Sequence, residues 1–258
     1  MTGYDRPCYQ DTGSRPFLFY VMFGAGGGEL EISRSRHRVE GFPRGLELSA
    51  LQRPDHGAYM DSLLGPPLGD VLRRQNAGLY EKALASQHWA VLRGEVQDDR
   101  NLGYLRDAIG VVQAAVEAGA EGVLDLQTLS LFSPSDWTGR IFAQGLELPR
   151  SHVVILASPE TEGSVWLHTR GMRKFGRPDI SLEGVPEEDT RRAAAAVNQM
   201  IFYGALGAVF EDRATLHIDE NLTCQVRPKL AGDLEDPDFN NTHYQILWAE
   251  CALKAEEP

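Results

Sequence analysis

The sequence predicts an α+β fold: a mostly antiparallel sheet with helices packed on one face. Three observations lead there. Segments of strand character outnumber helical ones, and many follow one another across short turns. One long stretch carries apolar residues at helical spacing, between two strand candidates. Strand, helix and strand recur in that order from His88 to Leu131 and from His152 to Glu220, which suggests two related β-α-β-type halves without a residue-level repeat.

Taken in order, Phe17 to Phe23, "FLFYVMF", is an unbroken apolar run and reads as a strand covered on both faces. The glycines after it, "GAGGG", lack the spacing of a dinucleotide fingerprint, because Glu29 stands where glycine is needed and no helix pattern opens after it. They read as a hairpin connection to "ELEISRSR", where Leu30 and Ile32 share a strand face. Prolines punctuate Gly41 to Pro67, leaving "GLELSAL" as the one strand candidate. Gly69 to Ser86 reads as a short helix interrupted at Gly78, and "HWAVLRGE" as a strand.

Leu102, Leu105, Ile109, Val112 and Val116 then form one apolar stripe, with Asn101 able to cap its start and Gly119 its end. "GVLDLQTLSL" reads as a strand, and Ser133, Pro134 and Asp136 as the start of a short helix. In the second half "HVVILASP", "SVWLHTRG" and "RPDISLEGV" read as strands. Pro186 opens a long helix with Glu187, Glu188 and Asp189 in its first turn, the sign that the helix dipole favours. Strands "ATLHIDE", "LTCQVRP" and "HYQILWA" close the chain, the last two flanking the acidic turn "GDLEDPDFNN". Residues 1–87 read as strands and a short helix within the same globule, and residues 88–258 as the main α+β domain.

Composition narrows the function classes. A net charge of -12 argues against nucleic-acid binding, which works through Lys and Arg neutralising phosphates, and makes a basic protein partner easier to accommodate. Arg34, Arg36, His37 and Arg38 form a local exception, read as a solvated strand face. No apolar run reaches the length of a membrane span, and the first ten residues lack a secretory pattern, so a cytoplasmic protein is expected. Cys8, Cys224 and Cys251 are odd in number and far apart, which indicates neither a disulfide framework nor a zinc knuckle and suits a reducing compartment. Cys224 falls in phase with Leu222 and Val226 and reads as a small buried hydrophobe. No cofactor fingerprint and no nucleophile elbow is present.

The stretch "WLHTRGMRKFGRPDISLEGV" places polar residues where a strand buried on both faces would carry apolar ones. Alternation sends Trp166, His168 and Arg170 to one side, taken as the wet one, and Thr215, His217 and Asp219 to one side of a later strand. Were those strands neighbours, His168, Arg170, His217 and Asp219 would share a patch, with His243 from a third strand. Such a patch suits a general base or, in a hydrolase or metal-dependent enzyme, an ion; structural, hydrogen-bonded histidines fit the same residues, and no metal-ligand spacing singles out the former. The cations Arg170, Arg173, Lys174 and Arg177 make a loop able to meet a carboxylate or phosphate, or else a hairpin whose charges pair internally around Phe175. Non-catalytic binding of a partner protein or small anion through His168 and Arg170 to Arg177 is the first expectation. In "HYQILWA", Tyr244, Ile246 and Trp248 share a face that would pair a homodimer if left uncovered.

The segment also carries His168, Thr169, Gly171, Met172, Phe175, Gly176 and Pro178. This pattern resembles a bacterial family of domains of unknown function whose members carry a strand-borne His-Thr-x-Gly-(Met/Leu)-x-x-Phe-Gly-x-Pro motif. The resemblance spans Leu124 to Trp248 and implies a soluble bacterial α+β protein; it implies no catalytic residue.

Overall fold

A computed structural model of the chain describes residues 4–24, 30–145, 149–229 and 240–253. The fold is α+β and mostly antiparallel, but built on two sheets. The first contains β1 (Phe17–Phe23), β2 (Leu46–Gln52), β3 (His88–Glu95), β4 (Gly122–Asp125) and β5 (Ser130–Phe132), in the order β2-β3-β1-β4-β5. The second contains β6 (Val154–Pro159), β7 (Ser164–Arg170), β8 (Asp179–Pro186), β9 (Ala214–His217), β10 (Leu222–Lys229), β11 (His243–Leu247) and β12 (Ala252–Leu253). Its order is β12-β10-β11-β8-β7-β6, with β9 also on β10. Among the described pairings only β8 with β11 is parallel.

The helices are α1 (Arg34–His37), α2 (Arg53–Leu64), α3 (Leu68–Gln75), α4 (Ala77–Ala85), α5 (Gly103–Glu117), α6 (Pro134–Asp136) and α7 (Thr190–Ala205). β3 and β4 both run antiparallel to β1 and are joined by α5, a β-α-β unit with a strand inserted between its partners. β8, α7 and β9 repeat the device with two strands inserted, so both β-α-β-type halves exist with different spacing.

β1 explains why the first sheet is covered on both faces. Leu18, Tyr20 and Met22 join Leu105, Ile109 and Val112 of α5 on one side. Val21 and Phe23 join Met60, Leu64, Leu72 and Leu79 of α2 to α4 on the other. The cluster on the α5 side continues into the second sheet through Leu167, Ile180 and Leu182, which α7 covers with Val197, Met200 and Ile201. Residues 1–87 thus supply strands to the same sheet as β3 to β5.

Several local expectations change. The strand over Leu30 to Arg38 is instead a coil and the short α1, whose His37 is buried, accepts from Ser33 N through Nδ1 and meets Glu117 through Nε2. Residues 25–29, which hold most of the glycine run, and residues 232–239 of the acidic turn lie outside the described residues. α2 carries Pro54 in its first turn, the one place a helix tolerates it, so that proline marks a helix start. The helix over 69–86 breaks at Asn76 rather than Gly78, because the Asn76 side chain accepts from Leu79 N and caps α4. The strand over 122–131 is a hairpin, turning through Leu129 at φ 52. Cys224 is buried as expected, but it forms a disulfide with Cys251, 27 residues on, which fastens β12 to β10. That bond removes the cysteine argument for a reducing compartment. Among the described residues no helix is long and apolar enough to cross a membrane.

Buried ion pairs also join the sheets. Asp98, just beyond β3, accepts from Arg6 through Oδ1 and from Arg177 through Oδ2, and all three are buried. Arg6 also donates to the carbonyls of Ala205, Asp99 and Phe175 at 2.8–3.0 Å. Lys174, with no exposed surface, pairs with Asp125 of β4 and donates to His152 O at 2.9 Å. Removing one partner of such a pair leaves buried charge uncompensated. Asp98→Ala is therefore expected to lower unfolding free energy by roughly 3–5 kcal/mol, read as a reduced urea midpoint; a loss under about 1 kcal/mol would contradict the assignment.

Candidate functional site

The polar stretch after β7 folds as a tight turn. Gly171, at φ 121, ends the strand; Met172–Phe175 make one 3-10 turn; Gly176, at φ 63, releases the chain toward β8. Both glycines occupy backbone conformations that a side chain would strain. Gly176 also lies against the N-terminal segment, since a Cβ there would stand 3.1 Å from Pro16 Cγ and from Ser14 Oγ.

Asp179, at the start of β8, anchors this turn. Its Oδ1 accepts from Thr169 Oγ1 at 2.8 Å and Met172 N at 3.2 Å, and its Oδ2 from Asn241 Nδ2 at 3.0 Å. Burial pushes its carboxyl up to about 6, against the lowering effect of those hydrogen bonds and of Arg170. His152, at the back of the turn, moves the other way, down to about 4, through burial and the nearby Lys174 charge.

The three cations of the turn differ in how their donors are used. Lys174 is held by Asp125 and His152 O. Arg177 donates to Asp98, to Gly176 O, Gln10 O and Gly207 O at 2.8 Å each, and to Ala208 O at 3.2 Å, so its guanidinium is saturated. Arg173 is not. Its side chain is 19% exposed and stacks on the Phe17 ring at 4.5 Å, yet its polar contacts are long, to Asn240 O at 3.5 Å and Glu95 Oε1 at 3.8 Å. Desolvation holds its pKa below the usual guanidinium value despite Glu95 and Asp179.

Arg173 faces a cleft of about 390 Å³. Thr12, Ser14 and Arg15 line it from the N-terminal segment, where Ser14 Oγ donates to Gly176 O at 2.6 Å. Arg15 is exposed and makes no ion pair among the described residues. Pro178, Val209 and Tyr244 also line it, and the Tyr244 hydroxyl accepts from Phe210 N at 3.2 Å. Asn241 and Thr242 complete the wall, and Asn241 is fixed by its bonds to Asp179 and to Arg177 O.

Arg173 and Arg177 thus line one cleft, as wall and as support. The other expected site residues lie elsewhere. His168 is buried, stacked on Trp166 at 3.9 Å, and Arg170 is buried beside it, so this side of β7 is not the wet surface that alternation suggested. The reason is that polar neighbours fill the face: Trp166 Nε1 donates to Ser181 Oγ, which donates to Glu183. His217 and Asp219 are exposed, as their alternation requires, but β8, β11 and β10 separate β7 from β9. The strands are not neighbours, and the shared patch does not form. Asp219 instead organises a turn through Asn221 N and Leu222 N and pairs with Arg192, which holds its carboxyl down at about 2. Among the described residues no three His, Cys, Asp or Glu side chains gather as a metal site would require. Tyr244 and Ile246 are covered by the chain's own core and Trp248 packs partly against it, which removes the open face on which the dimer expectation rested.

Sequence reasoning missed Thr12, Ser14, Arg15, Val209 and Asn241, which come from three distant segments and share no motif. Comparison of the chain with protein-family models, with curated proteins and with solved structures finds no match in any of the three.

The shifted pair at the turn makes a pH prediction. Asp179, with its folded pKa raised, contributes stability that is present below about 3.8 and is lost as pH rises through about 6. His152, with its folded pKa lowered, contributes stability that is present above about 6.5 and is lost as pH falls toward about 4. The two oppose each other across the same window. Relative to wild type, Asp179→Asn should lose an extra ~1–3 kcal/mol on acidification from about pH 6.5 to 4, and His152→Gln should gain a similar amount. Urea midpoints across that range check this; variants that run parallel to wild type would show that neither group titrates there.

Proposed function

We propose that this protein binds a small anion in the cleft between residues 12–15, the Met172–Pro178 turn and residues 241–244, without a catalytic step. The observation that carries the reading is the contrast between Arg177 and Arg173. Both are arginines of one turn, but Arg177 has spent its donors on Asp98 and four carbonyls, while Arg173 is largely desolvated with two long polar contacts. A guanidinium removed from water is stabilised by an acceptor that fits its fork, and the cleft is where one can approach. Arg15 at the rim adds positive charge, and the Ser14 and Thr242 hydroxyls add polar groups.

A cationic concave site also weighs between the two partners expected from the sequence, a basic protein from the net charge and a small anion from the cation-rich loop. The net charge of -12 draws basic proteins to the surface as a whole, but this cleft presents the opposite sign, so a small anion is its natural occupant.

Thermal denaturation with phosphate, sulfate and simple carboxylates tests this. A ligand at about 100 times its Kd adds ~2.7 kcal/mol, which should raise Tm by about 5–10 °C in a chain of this size. The rise should vanish in Arg173→Ala and shrink in Arg15→Ala. Equal responses of wild type and both variants to every anion would refute the site.

A further inference from the structure

The shape of the cleft says more than its charge, and the inference it supports rests on the anion-binding reading above. An inorganic anion would occupy only part of a 390 Å³ space, whereas sites of about 300–1,000 Å³ are those that enclose small organic molecules. The lining mixes two chemistries. Ser14 and Thr12, joined by a 2.8 Å hydrogen bond, line it with Arg15 and Arg173. Pro178, Val209 and Tyr244 line it too and bring hydrocarbon. Tyr244 is itself locked in place by Phe210, through its hydroxyl and through an edge-on ring contact at 5.3 Å.

The number of spare cations limits the head group. Arg177 is consumed by Asp98, and Arg173 is partly offset by Glu95, so a single half-buried fork remains with Arg15 beside it at the rim. One carboxylate matches one guanidinium fork through two parallel N–H···O bonds. A phosphate dianion brings a second charge that this site would have to desolvate with no further buried cation to meet it.

We infer that the occupant is an organic monocarboxylate, its acid head held by Arg173 and its hydrocarbon body laid along Pro178, Val209 and the Tyr244 ring. Binding then draws on both chemistries, the head for orientation and the body for affinity.

Titration calorimetry with acetate, butyrate, hexanoate and octanoate reads this directly. Affinity should rise roughly two- to fourfold per added methylene until the cleft is filled, the upper figure corresponding to ~0.8 kcal/mol for a fully buried CH₂. Val209→Asn should flatten the gain of the longer acids. Arg173→Ala should weaken every acid at least tenfold. Should that variant fold poorly, Arg15→Glu alters an exposed rim residue and should still weaken hexanoate at least threefold. A flat chain-length series, with Arg173-dependent binding of phosphate or a nucleoside monophosphate instead, would overturn the monocarboxylate and keep the anion site. Acids that bind independently of both Arg173 and Arg15, or no binding by any anion, would overturn both.

Discussion

Asp98 holds two guanidiniums at once, and most of what is distinctive in this molecule depends on it. Arg6 brings the N-terminal segment, Arg177 brings the turn between β7 and β8, and Asp98 itself lies just past β3 of the first sheet. A buried pair of this kind gains little net energy over apolar packing, but it tolerates few alternative arrangements, because each guanidinium must also find its carbonyls. Here it finds them on Ala205, Phe175, Gln10 and Gly207, which belong to segments far apart in the chain. Lys174 and Asp125 make a second tie of the same sort between the turn and β4. The cleft is a consequence. Its walls are the N-terminal segment and the turn, both fixed by Arg–Asp contacts behind them, and Arg173 is the residue of the turn whose charge those contacts do not absorb.

Elements with a local signature were legible in the sequence. β1 was readable from seven apolar residues in a row and α5 from its stripe at Leu102 to Val116; α7 was readable from a proline followed by three acids, although these form a 3-10 turn and α7 itself begins at Thr190. In each, the physical cause of the structure lies within the window that displays it. α2 was hidden because Pro54 and Gly57 interrupt the periodicity, and only Met60 and Leu64 of its residues are buried.

The candidate site was legible in part, and the reason is distance along the chain. The density of cations from Arg170 to Arg177 marked the right turn, but not which cation stays available. That depends on Asp98, Asp125 and Arg6, which lie 79, 49 and 169 positions from their partners in the turn. Alternation placed His168 on a side assumed wet, since a polar residue in a strand usually marks solvent; here the Trp166 indole and Ser181 make a buried polar face instead. The Cys224–Cys251 bond was invisible for the same reason, as spacing alone does not show which strands lie side by side.

The binding site depends on a division between saturated and available arginines, and arginine side-chain NMR observes that division most directly. Nε–H protons of Arg6 and Arg177, which donate to Ala205 O and Ala208 O, should exchange slowly with water and stay unmoved as hexanoate is added. The Arg173 Nε–H should exchange fast in the free protein, then shift and become protected as the acid binds. Protection of Arg173 before any ligand is added, or a ligand-dependent shift at Arg177 in its place, would contradict that division.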